Sequence, residues 1–239
     1  MIKVYPYEEL GRGEFGWLDA RYHFSFSRYV NRDRMGFGIL RVINDDIVQP
    51  HAGFGKHPHN DMEIITFVRK GAITHEDSRG NKGVTRAGDV QVMSAGTGIF
   101  HSEHNREDTE TKLFQIWIEP KVQGVQPRWE TARFADRQVS DALPLLVSGR
   151  DADQGKGALY IHADASISGG KMGKGVRVTH PIHDQAYILV SQGEIEVEGR
   201  TLREGDGMEV TQVKEVTLEA LSDAEVIVID VPQHPEVMH

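Results

Sequence analysis

Two stretches of this 239-residue chain read alike, and that likeness constrains the fold more than any other feature. Met62-Glu-Ile-Ile-Thr-Phe-Val-Arg-Lys-Gly71 is a β-branched and aromatic run closed by a turn glycine, and Ala186-Tyr-Ile-Leu-Val-Ser-Gln-Gly193 repeats the pattern. A second run, a hairpin and a Gly-Asp pair follow each of them, Gly88-Asp89 in one case and Gly205-Asp206 in the other. The same unit recurring in the same order implies two similar β domains, each about half the chain. Further short runs fit: Phe37–Ile43, Val90–Ser94, Leu113–Ile118, Ala158–His162, Glu194–Val197 and Val226–Val231. Many short strands between turn residues predict an all-β barrel or sandwich. Helical pattern is confined to one weak stretch, Arg133–Leu143, and the polar, Gly-rich stretch Ser148–Gly157 reads as a joint.

Composition narrows the chemistry. The chain has no cysteine, so thiolate metal sites, disulfides and thiol nucleophiles are excluded. Any metal must be held by nitrogen and oxygen, and twelve histidines are present. A formal charge of −9 argues against nucleic acid as a direct partner. No apolar run is long enough to span a membrane, and the start lacks the layout of a signal peptide, so the cytoplasm is expected. With both β domains supplied by one chain, a monomer is the default expectation.

The first copy contains Gly53-Phe-Gly-Lys-His57-Pro-His59-Asn-Asp-Met-Glu63. Residues two apart on a strand share a face, so His57 and His59 point the same way, and Glu63 joins them if no bulge intervenes. Downstream, His101-Ser-Glu103 repeats the spacing. Converging in one barrel, three imidazoles and one or two carboxylates suit a divalent transition metal and leave coordination positions open. With the turn glycines and Gly-Asp pairs aligned, the equivalent positions in the second copy are Thr179, Pro181, Gln185, Leu218 and Ala220, none of them a ligand. His180 and His183, three apart, would face opposite sides of a strand. The second half is therefore read as a metal-free copy.

Gly53-x3-His57-x-His59-x3-Glu63-x7-Gly71 followed by Gly88-x5-Ser94-Ala-Gly96-x4-His101-x3-Asn105 is similar to the paired motifs of the cupin superfamily. Trp17, His23-Phe-Ser-Phe26, Leu40-Arg-Val-Ile-Asn-Asp-Asp46, His75-Glu-Asp-Ser-Arg-Gly-Asn81 and Gln115-Ile-Trp-Ile118 narrow this. The chain resembles the pirin family, and within it the bacterial pirin-like quercetin 2,3-dioxygenases. The resemblance is dense from about residue 11 to 130 and weaker afterwards. It implies a bicupin of two antiparallel β-barrels with few short helices, divided into a metal-binding domain over 1–132 and a metal-free one over 133–239. It also implies a metal held by His57, His59, His101 and Glu103, with Glu63 moved to an orienting or basic role. Glu103 and Glu63 are then the candidate catalytic carboxylates. Iron is the metal expected, with nickel, copper, zinc, manganese and cobalt as alternatives. The implied activity is oxidative ring opening of flavonols such as quercetin by dioxygen, with release of carbon monoxide. Two other readings stay open: a regulatory or redox-sensing pirin that binds protein partners, and a cupin enzyme with another substrate.

The remaining conspicuous residues take blander readings. His23, Phe24, Phe26 and Trp17 are expected in the core, and Asp45-Asp46 in a solvated turn. His75 and His104 are expected on loops, and His234 and His239 in a frayed tail. Met62, Met93 and Phe114 either line an apolar pocket or fill the barrel.

Overall fold

The computed structural model describes residues 1–134 and 138–234. Its regular elements are nearly all strands; among the described residues the helical content is two short 3-10 turns, Tyr7–Glu9 and Asp151–Asp153. No helix among the described residues is long and apolar enough to cross a membrane. In the N-terminal half, seven strands lie in the order Arg128–Ala132, Val90–Ser94, Glu63–Lys70, Thr111–Ile118, Leu40–Val48, Leu18–Tyr22, Gly11–Glu14. A second sheet carries Gly53–His59, Ile99–His104, Ala72–Asp77 and Lys82–Arg86 in that order. The C-terminal half repeats this two-sheet arrangement. Its seven-stranded sheet runs Ile2–Tyr5, Gly207–Val210, Gln185–Gln192, Ala224–Val231, Ser166–Met172, Leu145–Ser148, Leu159–Tyr160. Its four-stranded sheet runs Arg177–Pro181, Glu215–Ala220, Glu194–Val197, Arg200–Arg203.

The internal repeat is thus visible as a repeat of sheet order, with one exchange. Arg128–Ala132 covers the outer edge of Val90–Ser94 in the first half. The matching edge in the second half, Gly207–Val210, is covered by Ile2–Tyr5 from the far end of the chain. The Gly-rich stretch Ser148–Gly157, expected to be a joint, instead links two strands of the C-terminal sheet that pair in parallel. Of the expected helix over 133–143, residues 135–137 lie outside the described residues. Residues 138–143 form bends and a bridge from Gln138 to Lys171 rather than a helix.

The two large sheets pack on each other. Alternation on Glu63–Lys70 sends Ile65 and Phe67 towards the other half and Ile64, Thr66 and Val68 into their own. Ile65, Phe67, Phe114 and Ile116 meet Tyr187, Leu189, Ile227 and Ile229 in one buried cluster. Each such side chain contributes about 1.5–3 kcal/mol by leaving water. The C-terminal interior is filled by a separate apolar core that includes Ile188, Val190, Ile195, Val216 and Leu218. The N-terminal interior has only small apolar clusters, leaving room for polar side chains.

Polar clamps also join the halves. Asp45 and Asp46, expected in a solvated turn, lie within Leu40–Val48 and are almost wholly buried. Alternation points them to opposite faces. Asp45 pairs with Arg69, whose guanidinium also donates to the Ser191 carbonyl at 2.7 Å and to Glu204 at 2.9 Å. His23 is a core residue, as expected: its Nδ1 lies 2.9 Å from the Tyr187 hydroxyl, and burial pushes its pKa down to about 3. His234 is not frayed, since its Nε2 lies 2.9 Å from Glu119 Oε2; His239 lies outside the described residues.

Removing one partner of a buried ion pair strands the other charge, at a cost of about 3–5 kcal/mol. Arg69→Met is expected to destabilise the protein by that amount, and Asp45→Asn added to it to recover a large part. Urea unfolding of both variants checks this; additive losses would mean that the pair carries no coupling.

Candidate metal centre

Gly53–His59 and Ile99–His104 form one antiparallel pair in which His57 stands opposite His101 and Ile99 opposite His59. The register then slips, so that Glu103 faces Phe54. The extra residue lies on the first strand, near Gly55 and Lys56, a bulge of the kind that re-aims side chains. The ligand atoms of His57, His59 and His101 lie within 4.8 Å of one another. His75, His101 and Glu103 form a second such group, so His101 is common to both.

The imidazoles fit a metal. His101 Nε2 and His57 Nε2 are 3.0 Å apart. Two adjacent octahedral ligands at ~2.1 Å from one ion would be about 3.0 Å apart. His59 Nε2 is buried without a hydrogen-bond partner, an atom that a metal would satisfy. The Gly55 carbonyl, 2.7 Å from His57 Nδ1, accepts that proton and leaves Nε2 free to coordinate. Burial, and after it His57 and His75, push His101 down to about 3. Burial, then His101 and His57, push His59 down to about 4. Both rings are therefore neutral near pH 7, the form that binds metal.

Glu103 is buried and turned inwards. Its Oε1 accepts from Gln91 Nε2 at 2.6 Å and from Thr66 Oγ1 at 3.3 Å, and its Oε2 accepts from Gln115 Nε2 at 2.8 Å. A carboxylate offers about four acceptor directions, so these three donors fix it and leave one free. Glu63 does not join the cluster. The chain turns at Asp61, where φ is 43°, so the face parity of His57 and His59 does not carry across. Glu63 sits on the face of its strand that looks towards the other half, with Ser94 Oγ donating to it at 2.8 Å. Burial pushes its carboxyl up to about 7, opposed by Ser94, the His162 N–H and Arg128.

His75, expected on a loop, is fully buried in Ala72–Asp77 and stacks on Trp129 at 4.9 Å. Its Nε2 lies 2.8 Å from Asp77 Oδ2 and its Nδ1 lies 3.5 Å from His101 Nδ1. Asp77 thus holds the proton on Nε2, and His75 Nδ1 accepts from His101, which keeps His101 Nε2 bare. His104 also lies on a strand, Ile99–His104, rather than on a loop.

A cavity of about 310 Å³ opens beside the imidazoles. Trp17, Tyr22, Phe26, Phe54 and Trp117 form its aromatic wall, and His57, His59 and Gln115 contribute to its lining. Trp17 and Phe26 were expected in the core and instead face this space. Met62, Met93 and Phe114 do not line it; the first two pack around Ile64 and Phe114 lies between the halves. Phe24 is core, as expected. The equivalent C-terminal positions Leu218 and Ala220 are buried in the apolar core, and both candidate groups among the described residues lie in the first half.

The comparisons agree with this architecture. The sequence pattern of the pirin family matches residues 4–118, and that of a quercetinase C-terminal cupin domain matches residues 145–231. A pirin-like protein of Caulobacter vibrioides is 45% identical, covering 96% of this chain and 99% of its own length. The quercetin 2,3-dioxygenase of Escherichia coli K12 is 40% identical, with 97% and 99% coverage. The crystal structure of the bacterial pirin YhhW from Escherichia coli in complex with nickel(II) superposes with a TM-score of 0.89 at 39% identity, covering 98% of this chain and all of that one.

Two outcomes follow from the geometry. Asp77→Asn is expected to weaken metal binding by ~10–100-fold, as loss of such an orienting partner does. Calorimetric titration with nickel(II) reads this, and an unchanged affinity would remove Asp77 from the site. For Glu63, the folded carboxyl holds its proton more tightly than the unfolded one. Its contribution is full below about pH 4.5 and declines until about pH 7. Wild type should therefore lose up to ~3 kcal/mol relative to Glu63→Gln across that window. Denaturant unfolding at several pH values checks it, and a constant gap would contradict it.

Proposed function

The chain belongs to the pirin family, and from that premise we propose that it is a metal-dependent dioxygenase that opens flavonols such as quercetin and releases carbon monoxide. The observation that carries this reading is the placement of three convergent imidazoles at the edge of an aromatic cavity. His57, His59, His101 and Glu103 are the proposed ligands of one divalent ion, with iron the expected metal and nickel a supported alternative. The metal would act as a Lewis acid on an oxygen of the bound flavonol, lowering the pKa of its hydroxyl.

The remaining work falls to the chain. Trp17, Phe26, Phe54 and Trp117 offer flat apolar faces to a planar ligand and exclude water from it. Gln91, Gln115 and Thr66 hold the Glu103 carboxylate in one orientation. Of the two carboxylates considered as proton acceptors, only Glu103 adjoins the imidazoles, so the hydroxyl proton is assigned to it. Glu63, facing the other half, is assigned a structural place. The division into a metal-binding half near 1–132 and a metal-free half near 133–239 belongs to the same proposal, with Ile2–Tyr5 contributed across it.

His101→Ala is expected to abolish both metal uptake and turnover, because His101 belongs to both ligand groups. Glu103→Gln should keep weakened metal binding and lose ~10²–10⁴-fold in rate. Aerobic incubation of the metal-loaded protein with quercetin, following flavonol absorbance together with carbon monoxide, measures both. Undiminished carbon monoxide release by metal-free His101→Ala would overturn the proposal.

A further inference from the structure

The wall that Leu40–Val48 gives to the cavity carries chemistry that neither the imidazoles nor Glu103 uses. Asn44 and Asp46 alternate on one face of Leu40–Val48, and both line the cavity. Each is at least nine-tenths buried, Asn44 at 3% exposure and Asp46 at 2%. Asn44 Oδ1 and Asp46 Oδ1 are both buried without any hydrogen-bond partner. An unsatisfied buried polar atom costs about 1–3 kcal/mol, so two on side chains that line one cavity are costly unless water or a ligand satisfies them. The other lining residues are mostly aromatic or apolar, and the two oxygens stand at fixed points on a rigid strand.

We propose that Asn44 and Asp46 form a hydroxyl-reading wall, which makes the pocket specific for planar aromatics that carry hydroxyl groups beyond the one directed at the metal. A hydroxyl both donates and accepts, so it pairs with a carboxyl in either protonation state and with an amide oxygen. Burial, reinforced by Asp45 and Glu103, pushes the Asp46 carboxyl well above the usual carboxylate range. Surroundings that disfavour the charged carboxylate suit a neutral phenol better than a cationic aromatic amine. The inference deepens the flavonol reading and rests on it for the ligand class, while the assignment of Asn44 and Asp46 concerns binding alone.

The test uses the full-length, iron(II)-loaded protein under argon, where ligand binds without turnover. Quenching of Trp17 and Trp117 fluorescence reports occupancy, since both line the cavity. Quercetin and 3-hydroxyflavone share the metal-directed oxygens and differ in the distal hydroxyls. Wild type should bind quercetin at least about tenfold tighter than 3-hydroxyflavone. Asp46→Leu and Asn44→Leu should each erase most of that preference while holding 3-hydroxyflavone, and Asp46→Asn, which keeps a hydrogen-bonding oxygen, should retain it. Equal affinity of wild type for both ligands, or a preference that survives both leucine variants, overturns the inference. If Asp46→Leu does not fold, Asn44→Leu and the wild-type comparison still decide. Admitting oxygen separates the two proposals: selective binding without carbon monoxide sinks the dioxygenase reading alone, and turnover without preference sinks the hydroxyl-reading wall alone.

Discussion

A single buried carboxylate sets the terms for the N-terminal half. Taking Glu103 out of water costs several kcal/mol unless donors replace the lost hydration. Three strands supply them: Thr66 from Glu63–Lys70, Gln91 from Val90–Ser94 and Gln115 from Thr111–Ile118. Each donor stands where the other half of the repeat can place an apolar side chain. The C-terminal interior shows the alternative, a continuous core of Ile, Val and Leu. One copy of the unit is thus packed for stability, and the other gives up apolar packing for a polar interior and a cavity. The large apolar seam between them lets the reactive copy lean on the stable one.

His101 is the hinge of the arrangement in the chemical sense. One of its nitrogens faces His57 and the other faces His75, which Asp77 orients in turn. His101 is therefore held neutral and aimed before any ligand arrives. On the open side, His57 and His59 are only half-buried, and there the aromatic cavity begins.

Much of this was legible in the sequence because it follows from period-two alternation. Val90–Ser94 and Glu194–Val197 are found at their expected limits, and the repeat of strand, glycine, hairpin and Gly-Asp reappears as a repeat of sheet order. His57 and His59 share a face because both lie within one strand, and His101 meets them from the strand paired beside it. Glu63 was misread because a left-handed residue, Asp61, separates it from the histidines and resets the parity. Asp45 and Asp46 were misread because charge normally marks solvent. Only long-range partners, Arg69 for one and a cavity for the other, make burial tolerable, and a linear sequence does not display them. His75 and Asp77 were missed for a similar reason: their partner His101 is distant in sequence and meets them only through strand pairing. Trp17 and Phe26 have the composition of core residues, and only the gap beside them makes them a wall.

The strand Ile2–Tyr5 belongs to a sheet whose neighbouring strand, Gly207–Val210, is made last but two. At ~5–20 residues per second, a ribosome needs roughly ten to forty seconds to deliver that partner. For this interval Ile2–Tyr5 has no edge on which to settle. The first half can close its own sheets meanwhile, since Arg128–Ala132 guards its border. Ile2–Tyr5 therefore settles only when the second half, translated long after it, presents the edge of Gly207–Val210.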